Sequence, residues 1–174
     1  MKEQIFKASR KKIISQTILI WVSVIMHILV IIWTLPVVIK GNQIAAFLFA
    51  NTFFSFLSIP SVVIFFRYYN HSINKKFVIT YNKLRFEDEK TGYVIELNTH
   101  EIIEIKLIQN HNNSKLPWCD LEYFSFTNET GKKIIVTSFF MPIYEFWMCT
   151  LARKVSSKKL KIKEVLYPIF KSLS

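Results

Sequence analysis

Residues 13–39 and 41–66 form two uncharged, strongly apolar stretches parted only by Lys40. A bilayer core takes roughly 20 apolar residues to cross as a helix, and both stretches exceed that length. The chain is therefore expected to carry a transmembrane helical hairpin over residues 13–69. The first apolar run is longer than a signal-peptide core, and no small-residue cleavage pattern follows it, so both spans are expected in the mature protein.

Of the 174 residues, those outside the hairpin suffice for one small domain. The formal net charge of +11 is unevenly spread. Lys2, Lys7, Arg10, Lys11 and Lys12 precede the first span, and Arg67, Lys75 and Lys76 follow the second. The positive-inside rule then predicts an integral protein of the cytoplasmic (inner) membrane, with both termini cytoplasmic and the turn 40–43 outside. Residues 1–12 read as a basic N-terminal extension. In that compartment Cys119 and Cys149 are expected as free thiols, and Asn112-Asn113-Ser114 and Asn128-Glu129-Thr130 as chance glycosylation matches. Topology and attraction to anionic headgroups account for much of the basic excess. No nucleic-acid module is visible, so no nucleic-acid partner is expected.

The hairpin carries polar residues in a pattern. Gln16, Ser23, His27 and Thr34 are spaced seven, four and seven apart, which places them on one narrow helical face. Asn51, Ser55 and Ser58 do the same in the second span, and folding at Gly41 brings His27 to the depth of Ser55 and Ser58. Two readings stay open. The stripe is interhelical hydrogen-bond glue, or His27 titrates and faces a partner helix or an ion path, which requires an oligomer. Pro60 withholds a hydrogen bond from Phe56 and predicts a kink. Phe65, Phe66, Arg67, Tyr68 and Tyr69 are expected as an interfacial collar. The connector 70–76 reaches at most about 25 Å, so the following domain must work close to the membrane.

From Phe77 the pattern turns strand-like. Strands are predicted over 77–81, 83–86, 93–97, 101–108, 121–127 and 132–138. In the fourth, Ile103, Ile105 and Leu107 alternate with charges, and Gly131 closes the hairpin turn Asn128-Glu129-Thr130-Gly131 at positive φ. A helix over 142–153 follows, with Pro142 in its first turn and Ile143, Phe146, Trp147, Thr150 and Leu151 on one face. These elements define an antiparallel β-meander or barrel over 77–157 capped by one C-terminal helix. Residues 158–174 form a basic amphipathic tail, ambiguous between strand and helix. The fold class is thus an α+β membrane protein.

Phe77-Val78-Ile79-Thr80-Tyr81, Ile102-Ile103-Glu104-Ile105, Ile134-Ile135-Val136-Thr137-Ser138 and the helix 142–153 carry a resemblance. Over residues 81–154 the chain resembles the bacterial pleckstrin-homology-like (PH-like) modules that follow two transmembrane helices. The resemblance implies a binding module. In the eukaryotic family, phosphoinositide binders carry a lysine followed by basic-x-Arg across the first two strands. Lys76, Lys83 and Arg85 can be set on that pattern, although Lys76 precedes the first predicted strand instead of ending it.

Catalytic signatures are missing from the sequence. Gly41, Gly92 and Gly131 are isolated and build no phosphate loop, and the common zinc and serine-hydrolase motifs do not occur. A pair such as Cys119 with His111 is conceivable but rests on spacing alone. The chain is therefore expected to be non-enzymatic, with no cofactor and no metal. Its candidate lipid- or partner-binding residues are Lys75, Lys76, Lys83, Arg85, Lys158, Lys159, Lys161 and Lys163, facing anionic headgroups, a protein partner or a second copy. An accessory or immunity-type membrane protein, binding a toxin or a larger membrane complex, is the alternative.

Overall fold

The computed structural model describes residues 3–41, 44–110, 116–142, 145–146 and 160–170. Strand β1 (Gln4–Lys7) leads into helices α1 (Arg10–Gly41) and α2 (Ile44–Ser72), which lie side by side. Strands β2 (Lys75–Ile79), β3 (Lys83–Asp88), β4 (Val94–Asn98), β5 (Ile102–Asn110), β6 (Tyr123–Asn128), β7 (Lys133–Thr137) and β8 (Leu160–Val165) follow. They form two four-stranded sheets, ordered β1-β2-β3-β4 and β7-β6-β5-β8. The helices run unbroken through Pro36 and Pro60.

Three expectations change. The basic N-terminal segment, for which no strand was predicted, contains β1. Gln4 pairs with Ile79 and Phe6 with Phe77 in antiparallel register, so the whole helical hairpin is inserted between two adjacent strands of one sheet. The tail also contributes a strand, β8, and it runs parallel to β5, so the domain is not purely antiparallel. Finally, α2 passes almost directly into β2 through Ile73 and Asn74, the latter at φ 58°, in place of a spanning connector. Of the expected closing helix, Glu145 and Phe146 are helical, and the Phe146 ring lies 4.3 Å from that of Phe124. Residues 147–159 of that helix and tail, with Trp147, lie outside the described residues.

Alternation along the strands builds two cores. Phe77, Leu84, Phe86, Leu97, Ile105, Leu107, Phe124, Phe126, Ile134 and Val136 fill the space between the sheets. Residues of the opposite parity, Ile108, Tyr123 and Ile135, join Trp118, Leu121, Phe139 and Phe170 in a second core, against Ile13 and Ile20 of α1 and Ile64, Phe65 and Tyr68 of α2. The collar expected at 65–69 is thus partly a core: Phe65 and Tyr68 are buried, while Phe66 and Arg67 are exposed. Ile103 also departs from its predicted face. A register shift between Ile102 and Glu104 turns it outward, and Ile102 takes the inner position instead.

Candidate functional site

The helix ends are bonded into the domain. Gln16 Nε2 donates to Ser138 O at 3.2 Å and Lys12 Nζ to Phe140 O at 3.2 Å. From α2, Arg67 Nη1 donates to Phe170 O at 2.5 Å and Tyr68 Oη to Pro168 O at 2.9 Å. His71 Nε2–H donates to Ile135 O at 3.0 Å, and its ring stacks on Phe86 with centroids 5.2 Å apart. Gln16 therefore belongs to the domain contact and not to the stripe within the hairpin.

Further along, the polar side chains turn to each other. His27 Nδ1 lies 2.7 Å from Ser58 Oγ, and Nε2 lies 3.4 Å from Ser55 Oγ. Because the Ser58 hydroxyl donates to Phe54 O at 2.9 Å, Nδ1–H is the donor to Ser58, and Nε2 accepts from Ser55. Asn51 Nδ2 bonds Phe47 O at 2.9 Å and reaches Thr34 Oγ1 at 3.5 Å. Ser23 bonds its own helix at Ile20 O. The structure brings together His27, Ser55 and Ser58, and separately Thr34 and Asn51.

The basic candidates divide by strand parity. Lys76, Lys83 and Arg85 lie on the outer face of the first sheet, in a ladder of opposite charges. Lys76 sits 2.5 Å from Glu87, Lys83 sits 3.4 Å from Glu96, and Arg85 pairs with Glu87 and with Glu96. The three residues set on the phosphoinositide pattern are therefore already matched by carboxylates. On β8, Lys161 bonds Glu104 at 2.7 Å, with Lys106 on the same carboxylate at 2.6 Å. These lysines hold the Glu104 carboxyl below its usual range. Lys163 is exposed on the same strand, and Lys158 and Lys159 lie outside the described residues.

Lys75 has the opposite parity and points to the inner face, where its Nζ lies 5.9 Å from the centre of the Phe86 ring. It lines a cleft of about 560 Å³ between α2 and the β3–β4 end of the first sheet. Val62, Val63, Phe66 and Arg67 form the helix wall, and His71, Phe86, Ile95 and Phe170 form the floor. Asp88 stands at the rim. Although desolvation works to raise it, the backbone N–H groups of Lys90 and Thr91 and the Lys75 ammonium hold its carboxyl below the usual range. Sequence reasoning passed over Arg67 as a site residue. Its position one helical turn past Val63, at the end of the apolar run, was the available signal.

No cluster of three or more His, Cys, Asp or Glu side chains suited to a metal occurs among the described residues. Burial and the adjacent Asp120 carboxylate push the Cys119 thiol up, opposite to the activation a nucleophile needs. His111, its imagined base, lies outside the described residues.

The family model described as a PH domain matches residues 5–147, and the chain belongs to that PH-domain family. The match starts inside β1 and takes in both helices, well beyond the stretch that carried the resemblance in sequence. Comparison with curated proteins and with solved structures yields no match. Membership points to a module that binds lipids or proteins.

Proposed function

We propose that the protein is a membrane-anchored PH-domain module that binds at the cytoplasmic face of the bilayer without catalysing a reaction, with anionic lipid headgroups as its ligand. The pairing of β1 with β2 across the hairpin carries this reading. The sheet closes only if both helices leave the domain and return to it, so the module is held against whatever the helices enter. Subtracting the turns packed on the domain leaves residues 21–41 and 44–63, about 20 per helix, enough to cross a bilayer core.

The surface of that projecting part supports the reading. Trp33, Ile39, Phe49, Phe53, Phe56 and Ile59 are among its exposed large apolar side chains. A core helix of a soluble protein would bury these residues; such a surface in water is a liability, and in lipid it is the stable state. A cleavable leader fits poorly, because removing it would strip β1 from its sheet. Arg10, Lys11, Lys12, Arg67, Lys75 and Lys76 cluster where the helices meet the domain, which favours the cytoplasmic side for it.

Alkaline carbonate extraction and liposome flotation of the full chain test the anchor. The protein is expected to stay with the lipid fraction, and recovery in the soluble fraction would overturn the reading. Tags at either terminus are expected to be protected from protease in sealed right-side-out cells.

A further inference from the structure

The exposed apolar face of α2 leads directly into the cleft. Phe56, Ile59, Val63 and Phe66 follow one another at three- and four-residue steps, which aligns them in a single stripe. All four are about half exposed or more, from 47% at Val63 to 60% at Phe56 and Ile59. The stripe ends at Arg67 and Asn70, and Lys75, at the start of β2, lines the same cleft with its Nζ 3.5 Å from Asn70 O. An apolar track thus runs into a mainly apolar cleft that holds two cations and one carboxylate.

We propose that this cleft is a binding site for one anionic phospholipid from the surrounding leaflet, its phosphate between Arg67 and Lys75 and an acyl chain along Phe56, Ile59, Val63 and Phe66. The inference rests on the membrane-anchored reading and gives it a specific ligand class and place. Its location differs from the outer face of β2 and β3, where Lys76, Lys83 and Arg85 are held by Glu87 and Glu96. Several features fit an amphiphile better than a soluble anion. The cleft wall is continuous with the helix surface assigned to lipid, its floor is aromatic and aliphatic, and its cations sit where the helix joins the domain. The Arg67 guanidinium gives one N–H to Phe170 O, which fixes its orientation and leaves its other donors for a phosphate. Asp88 tempers the positive charge, and its carboxylate is already engaged by the turn amides.

The test uses full-length protein, delipidated in a mild detergent and reloaded with phosphatidylglycerol in phosphatidylcholine mixed micelles, with bound lipid read by native mass spectrometry. Wild type is expected to retain one phosphatidylglycerol in preference to phosphatidylcholine. Lys75→Gln should weaken retention about fivefold, the loss expected for one cation near an anionic headgroup. Arg67→Gln should do the same or more; because it also loosens Phe170, Lys75→Gln is the decisive variant. Asp88→Asn, which keeps the oxygen that caps the turn, should tighten retention. Lys83→Gln should leave it unchanged.

Equal retention by wild type and Lys75→Gln, or a loss with Lys83→Gln as large as with Lys75→Gln, would overturn the site. Displacement of the lipid by millimolar inorganic phosphate would assign the cleft to a soluble anion and overturn it as well. Failure to float with phosphatidylcholine liposomes would instead remove the anchored reading itself. A protein that floats but shows no lipid preference would lose this inference and the headgroup ligand of the proposed function, and keep the anchor.

Discussion

The two sheets of the domain have the same number of strands but answer to different surroundings. On the first, β3 and β4 alternate: Leu84, Phe86, Ile95 and Leu97 are buried, while Lys83, Arg85 and Glu96 reach water in an ion-paired ladder. On the second, β6 and β7 are buried on both faces. Phe124, Phe126, Ile134 and Val136 meet the first sheet, and Tyr123 and Ile135 meet the helix ends and the C-terminal segment. A sheet with one wet face tolerates charge at every second residue, whereas one covered twice reads as a continuous apolar run. The second sheet is the mount that holds the hairpin, and the first closes the other side of the core and lends one end to the cleft.

The largest expected break in this contrast is Ile135→Ala. It empties part of the core beneath the helix ends and should cost about 2–5 kcal/mol, against within about 0.5 kcal/mol for Val94→Ala on the exposed face of β4. Thermal unfolding in detergent compares the two, and equal losses would mean the second sheet is not the mount. Next comes Tyr68→Phe. It leaves Pro168 O without its buried donor and should cost about 1–3 kcal/mol, with faster proteolysis of the C-terminal segment as the accompanying sign.

His27→Leu removes the two bonds that His27 makes across the helix seam and should cost roughly 0.6–2 kcal/mol per bond. The expected loss is confined to the hairpin, read as greater helix separation by spin-label distances, with the domain's own unfolding unchanged. A change in oligomeric state would instead assign His27 to contacts between copies. Lys83→Gln, on the wet face, should shift stability by at most about 0.5 kcal/mol.

The smallest effect is one of pH. Glu104 is held low by Lys106 and Lys161, and a depressed folded pKa gives stability that is present above the unfolded value. That stability is lost as pH falls through the folded value. The difference in midpoint between wild type and Glu104→Gln should therefore shrink on acidification, and a constant difference would separate Glu104 from these ion pairs.

Much of this was legible in order along the chain. The apolar lengths marked the hairpin, and Gly131, at φ 78°, sits in the turn its neighbours predicted. Strand β7, Lys133–Thr137, lies within the strand predicted over 132–138. The site was less legible. The sequence offers Lys75 and Lys76 as equals, but adjacent strand residues face opposite ways, and only the register of β2 with β3 sets Lys76 beside Glu87 and Lys75 over Phe86. In the same way the bulge in β5, invisible in the alternation of Ile103, Ile105 and Leu107, exposes Ile103.

By itself the sequence determined what depends on near neighbours and total hydrophobicity: two long apolar helices, the turns, the alternating strands and the charge asymmetry around the hairpin. Tertiary structure alone decided that β1 pairs with β2 across the helices, that β8 lies parallel to β5, and that Arg67 and Lys75 line one cleft. Local propensity is set by covalent neighbours. Arg67 and Lys75, though near in sequence, are placed by the turn from α2 into β2, whereas the two strand pairings join segments far apart in the chain. Such partners are selected by shared cores and backbone hydrogen bonds that exist only once the whole domain has closed on the helix ends.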